Sequence, residues 1–375
     1  MSITKVTDAG LDRSRIVTPI IINGDMQVAQ RATSVTSHNA VSYTTVDRFK
    51  TVCETGTYTV IQESLTSGNA YLNGFKKALR LDTTTAEASA GSAGEQTTIE
   101  QRIEGQNLQQ FLKGTANAKP FTLAFWVKAN KTGSNLQVNL RDGDNSRQVG
   151  GTYNIDAADT WEKKIINFPA DTTGAFDNDN STSLTIEWFL DGGSNFSGGA
   201  VPTAWEANSN ADRNVTNFDL AGSTDNDWAL TGVQLEVGTF DANTIPAFPF
   251  ESFSNNLQRC QRYFENHTAS GSTQIAHAFG SSSARCYFQY RTKKRTAPTI
   301  TLATAGTGSG EISFLTKGGA HVGTTGTHQS LNVAIDCFNL NVAGGYSSTG
   351  WAEGDAIIFY VNGNNYVVWE ADAEL

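Results

Sequence analysis

The sequence predicts an all-β protein: a jelly-roll-like β-sandwich, one short connecting helix, then a smaller C-terminal β-sandwich domain. Three observations carry that prediction. The 375 residues include 35 glycines, 20 phenylalanines and seven tryptophans but only two methionines, a composition suited to short strands and tight turns. Strand-like alternation recurs along the chain, while long runs rich in Ala, Leu, Glu and Lys are absent. One segment alone, around Phe250 to Phe264, places its apolar residues at helical spacing.

The elements follow in order. Residues 1–17 are polar and read as an N-terminal arm without a core of its own. Residues 18–250 read as one large sandwich, because its strands alternate: Phe121, Leu123, Phe125, Val127; then Leu136, Val138, Leu140; then Leu184, Ile186, Trp188, Leu190. Stretches 83–94, 171–183 and 191–214 are rich in Gly, Asn, Asp, Ser and Thr, as connections between two packed sheets should be. The last strand, 228–238, sets Val233, Leu235 and Val237 on one face and Gln234 and Glu236 on the other. Residues 251–266 form the connecting helix. Phe250, Phe253, Leu257, Cys260 and Phe264, spaced 3-4-3-4, would make one apolar seam about four turns long. Residues 267–375 form the second β domain, with Cys286/Phe288/Tyr290, Leu331/Val333/Ile335 and Tyr366/Val368 alternating. No fixed-period repeat is present, which argues against a β-helix or a propeller.

Composition narrows the chemistry. A net charge of −10 disfavours nucleic acid, which is held by clustered Lys and Arg. The one basic run, Arg291 to Arg295, reads as a solvated strand edge. Cys53, Cys260, Cys286 and Cys337 show no metal or redox spacing, and they suit a reducing compartment. The N-terminal residues are polar, without a signal-peptide pattern, and no apolar stretch approaches the ~20 residues of a membrane-spanning helix. No membrane insertion, cofactor or metal is expected. The N-x-S/T triplets at Asn180, Asn195, Asn214 and Asn266 are what an Asn/Ser/Thr-rich chain produces by chance. Gly306 to Gly310 lacks the Lys of a phosphate loop and reads as a turn. His38, His267, His277, His321 and His328 have no nucleophile in a recognised frame and read as surface or subunit-contact residues. Glu187 and Glu236 sit on strands where two glycosidase carboxylates would converge, and exposed-face acids explain them equally well. Asp142-Gly-Asp-Asn-Ser146 and Asp177-Asn-Asp-Asn180 are oxygen-rich like calcium loops. Neither completes an EF-hand, and Asx turns give the same pattern.

Several blocks carry a resemblance: Asn23–Arg31 with Tyr43–Phe49, Phe121–Lys128, Leu230–Gly238, Phe250-Glu251, Cys260–Phe264, Arg295–Thr301 and Asp372–Leu375. In this order they resemble tailed-phage tail fibre and receptor-binding proteins that carry a carbohydrate-binding-like jelly roll. The resemblance implies a non-enzymatic virion appendage, made in a bacterial cytoplasm. It implies a homotrimer, an arm (1–17) held by other virion proteins, and a host cell-surface glycan as ligand. Domain 267–375 would be the receptor-facing tip. A purely structural virion part, such as a capsid decoration or tail adaptor, is one alternative, and a polysaccharide depolymerase is another. The seam would pack three helices about a threefold axis or, alternatively, pack on its own sandwich.

Sugars are held by an aromatic face flanked by short polar side chains. Trp126, Trp161, Trp188 and Trp228 fall in strand-like segments and read as core. Trp205 lies instead in a polar loop with Phe196, Asp191, Asp212 and Asn214, which makes that loop the expected recognition surface. Loop anchoring or contact with a neighbouring subunit is the alternative. Trp351 is a second expected glycan contact, in the last domain.

Overall fold

The computed structural model describes residues 18–87, 92–280, 283–302, 312–315, 321–323, 327–343 and 353–375. The strands of the first domain are β1 (Ser34–His38), β2 (Val41–Tyr43), β3 (Phe49–Cys53), β4 (Thr57–Ser64), β5 (Lys77–Thr85), β6 (Gln96–Glu104), β7 (Phe121–Ala129), β8 (Gly133–Asp142), β9 (Arg147–Ile155), β10 (Glu162–Phe168), β11 (Thr182–Gly192), β12 (Glu206–Ala207) and β13 (Asp227–Val237). A one-turn helix, α1 (Gly68–Leu72), lies between β4 and β5, and α2 (Phe253–Gln261) follows β13. The second domain holds β14 (Phe264–Gly280), β15 (Ser283–Gln289), β16 (Thr299–Leu302), β17 (Ile312–Leu315), β18 (His321–Gly323), β19 (Thr327–Leu331), β20 (Cys337–Ala343) and β21 (Ala356–Asp372).

Two antiparallel sheets make the first domain, ordered β1-β4-β5-β13-β7-β10 and β12-β9-β8-β11-β6-β3-β2. Non-consecutive neighbours in both sheets are the crossovers of a jelly-roll-like sandwich. The alternating residues read from the sequence line the space between the sheets: Leu123, Phe125 and Val127 from one, Val138, Leu140, Ile186 and Trp188 from the other, all buried. Aromatic geometry fixes their packing. Phe125 meets Trp188 edge-on at 5.7 Å and 86°, and Phe111 stacks on Phe121 at 3.8 Å. The second domain is a smaller sandwich whose described strands are joined in the order β18-β17-β21-β14-β15-β20-β19, with β16 on β21. It closes on a core of Phe288, Phe338, Phe359 and Trp369.

Two expectations change in detail. The connecting helix runs from Phe253 to Gln261 and not over 251–266. Ser252 caps its start, its Oγ accepting from Asn255 N at 3.3 Å, and Phe264 already belongs to β14. The seam therefore divides. Cys260 and half-buried Leu257 pack on Ile22, Val28 and Tyr263 of the same chain, and Phe264 is buried. Phe250 and Phe253 stay 50% and 58% exposed. Secondly, Leu331, Val333 and Ile335 do not share a strand: β19 ends at Leu331, and Asn332 turns away in the left-handed region (φ 51°). Residues 1–17, Gly306 to Gly310 and Trp351 lie outside the described residues.

The two domains meet through charge. Arg262 of the junction donates to both Glu104 oxygens at 2.8 Å, and Arg295 Nη1 donates to Asn180 O at 3.0 Å. The last strand's exit seats Glu374 against the buried Arg48 and places Leu375 O within reach of Tyr43 Oη (3.1 Å) and Arg102 Nη1 (3.2 Å).

Candidate functional site

The loop expected to recognise a glycan is packed inward. Trp205 is 8% exposed, joins the sandwich core, and donates its indole N–H to Pro169 O at 2.9 Å. Phe196, Asp191 and Asn214 are buried as well. Asp191 accepts from Asn217 Nδ2 and Ala221 N, Asn214 donates to Asn217 Oδ1, and half-buried Asp212 caps Ala200 N. Burial pushes the Asp191 carboxyl up against those hydrogen bonds. Asp191, Phe196, Asp212 and Asn214 gather at the Phe189 end of β11, whereas Trp205 packs at the other end, beside Lys113 and Asp142. Their alternation-free, polar sequence hid the burial of Trp205 and Phe196.

The face left open lies on the other sheet. β4, β5, β13 and β7 are neighbours there, and small Ala78 and Ala229 occupy the middle of the row. Long side chains from the flanking strands reach over them: Glu63 Oε1 comes to 4.0 Å from Arg80, and Lys128 Nζ to 3.9 Å from Glu63 Oε2. Arg80 is itself held by Asp82 (2.8 Å) and Asp227 (2.9 Å). Above this floor, 64–69 and 159–161 build two walls, giving an open depression of about 340 Å³ lined by Glu63, Ser64, Ser67, Asn69, Lys128 and Trp161 among others.

The walls are fixed by local chemistry. Asn69 Nδ2 donates to Trp161 O at 3.4 Å, and Lys77 Nζ donates to Ser64 Oγ at 2.9 Å. Gly68 takes a left-handed φ of 88° directly over the indole, where an added Cβ would lie 3.2 Å from Trp161 Cδ1. Trp161 is 5% exposed, lining the depression while it clusters with Leu65, Ala70 and Phe75. Its expected core role therefore holds, and Trp188 and Trp228 are fully buried too, with Trp126 half-buried. The depression thus combines hydroxyls, an amide, and a carboxylate paired with an ammonium, Glu63 Oε2 with Lys128 Nζ. It suits a ligand rich in hydroxyl groups. The sequence signal was faint, because Glu63, Lys128 and Trp161 are far apart in the chain.

The strand acids are differently disposed. Glu187 is buried, and its two oxygens accept from Arg213 at 3.1 and 2.5 Å, from Asn139 at 3.0 Å and from Arg141 at 3.3 Å. Burial alone would raise its carboxyl. The Arg213 charge and hydrogen bonds overcome that and hold it below the usual range. Glu236 is raised by burial, with Gln234 Nε2 opposing at 2.9 Å. Neither lines the depression. Among the described residues, no group of three or more His, Cys, Asp or Glu side chains is arranged to hold a metal ion, and no helix is long and apolar enough to cross a membrane.

The described residues define a two-domain β-sandwich protein with a polar depression on one outer sheet face. No family model matches the chain, and no curated protein matches it. Among solved structures it is similar to the enzymatically active domain of tailspike protein 4 of bacteriophage CBA120 (12% identity, 58% of this chain and 21% of that one, TM-score 0.28). It is similar to the CBM22-1–GH10 modules of Clostridium thermocellum xylanase 10B complexed with xylohexaose (12%, 56% and 28%, TM-score 0.26). A third is the CBM22-1–CBM22-2 tandem domain of Paenibacillus barcinonensis Xyn10C (10%, 93% and 100%, TM-score 0.27). The matched part of the chain spans about a fifth of the tailspike domain and little more than a quarter of the xylanase modules. Likeness at these TM-scores carries no weight for ligand or activity, and the fold rests on the sheet order itself.

Proposed function

We propose that the chain is a non-enzymatic phage virion appendage protein, a tail fibre that trimerises and binds a host cell-surface glycan. The observation that carries the binding is the open depression at Glu63, Lys128 and Trp161, walled by the short hydroxyl and amide side chains of Ser64, Ser67 and Asn69. Sugar hydroxyls both donate to and accept from such groups. The non-enzymatic reading is supported by the disposition of the acids. Glu187 is locked by arginines on the outer face of its sheet, covered by the Arg213 segment, whereas a glycosidase needs two carboxyls facing one cleft about 5–9 Å apart. The appendage reading rests on the ordered blocks from Asn23 to Leu375, with the arm (1–17) joining other virion proteins. Subunit contact is assigned to the exposed end of the seam, Phe250 and Phe253.

The test is to pass the purified chain over an array of bacterial surface polysaccharides and to assay each retained polymer for new reducing ends. Retention without new ends is the expected result. New reducing ends would make the chain a depolymerase. Absence of retention across the array would leave a purely structural virion part, a capsid decoration or tail adaptor.

A further inference from the structure

The oxygen-rich stretch at Asp142 is engaged by a cation from the chain itself. Lys113 sits in the loop after β6, and its ammonium is fully shielded from solvent. Four oxygens from two other loops surround Nζ: Asp142 Oδ2 at 2.5 Å, Asp171 Oδ2 at 3.0 Å, Gly174 O at 2.7 Å and Thr173 O at 3.2 Å. The rings of Trp205 and Phe176 close the remaining sides, at 4.8 and 5.1 Å from Nζ to their centroids. The cage is held from outside. Asp142 Oδ1 accepts from Asp144 N and Asn145 N, Asp171 Oδ1 accepts from Thr173 N, and Arg147 Nε donates to Asp171 Oδ2 at 2.8 Å. Three loops and the rooted tryptophan thus converge on one positive charge, with its counter-charges pre-oriented by backbone N–H groups.

We infer that this is a built cation site whose resident ion is the tethered Lys113 ammonium, and that shortening the side chain opens it to a free hard cation, calcium. The donors are all oxygen, two of them carboxylate, which is the ligand set calcium takes. Asp142 Oδ2 already stands at 2.5 Å, Gly174 O and Asp171 Oδ2 at 2.7 and 3.0 Å need small contractions and Thr173 O at 3.2 Å a larger one to reach the ~2.3–2.6 Å of calcium–oxygen bonds, and water in the volume left by the butyl chain supplies the rest of the shell. With Lys113 in place the cage is full, so the natural chain is indifferent to calcium.

The experiment measures urea refolding and thermal melting of the full chain, Lys113→Ala and Lys113→Met, each in EDTA, in calcium chloride, in potassium chloride and in ethylammonium chloride. The natural chain should melt alike in all four. Lys113→Ala should melt lower in EDTA, or fail to refold. Saturating calcium should return it by about 5–10 °C, from the mass-action gain of a site bound only in the folded state. Lys113→Met, whose chain still fills the volume, should not respond. Calcium without effect on Lys113→Ala would overturn the inference, and so would rescue by ethylammonium alone. Rescue of both variants equally would overturn it as well, since the response would then be unspecific. Refolding yield gives a reading even where the variant is unfolded at the start.

Discussion

Several of the buried charges among the described residues are paired. Glu187 meets Arg213 and Arg141, Glu265 meets Lys294 at 2.7 Å, and Glu104 meets Arg262. Removing one partner strands the other in a medium that solvates it poorly. Arg213→Ala is therefore expected to cost about 3–5 kcal/mol in urea unfolding, with Gln96, Asn210 and Glu187 all losing a donor. Two acids behave in the opposite sense. Asp25 and Asp47, beneath α2, are each pushed up to about 6 by burial, against hydrogen bonds from Asn256 and Gln27 for the first and from Gln30 for the second. Between the ordinary value of 3.8 and about 6, the native state keeps protons that the unfolded chain has released, so these groups lose stability as pH rises through that window. Asp25→Asn should remove a negative contribution from the slope of unfolding free energy against pH between pH 4 and 6, making that slope more positive; an unchanged slope would refute the assignment. At this scale the sequence was half legible. Trp188 and Trp228 were readable as core from alternation, whereas Trp205 was not, because a loop tryptophan looks alike whether it anchors or binds. Glu63 was unreadable as a lining residue, since it meets Lys128 and Trp161 only across the sheet.

Among the elements, β13 bears most of the geometry. It pairs with β5 on one side and β7 on the other, and its register with β7 shifts between Thr231 and Gln234. Gly232 makes that bulge at a φ of 62°, and an added Cβ would stand 2.7 Å from Phe75 Cζ and 2.8 Å from Trp126 Cδ1. Gly232→Ala should cost about 2–4 kcal/mol, combining left-handed strain with overpacking of the cluster under the depression. Thermal melting checks this. The strand itself was legible, with Val233 and Leu235 buried as their alternation requires. The helix was legible in place but not in length, because spacing alone carries an apolar seam past the point where Phe264 pairs with Asp372 in a sheet. Long-range pairing decides such ends, and a local pattern cannot report it.

For the whole molecule, the domains are coupled through one charged seam. Glu374 is nearly buried between Arg48 and Arg31, and Asp372 reaches Arg31 at 2.9 Å. Glu374→Ala leaves Arg48 buried without its carboxylate, and calorimetry should then resolve two transitions where the natural chain gives one. The exposed end of the divided seam leads to a second expectation. Light scattering should give three chains per particle, falling to one in Phe253→Asp while the melting temperature is kept; a monomeric natural chain would refute trimerisation through this surface. The claim on which the rest depends is that the depression between Glu63, Lys128 and Trp161 binds a glycan. Its most direct test is calorimetric titration of an array-selected polysaccharide fragment into the natural chain and into the doubly substituted Glu63→Gln, Lys128→Ala protein. Saturable binding by the first, lost at least tenfold in the second with its fold intact, is the predicted result. Equal affinity in both proteins would place the ligand elsewhere and contradict it.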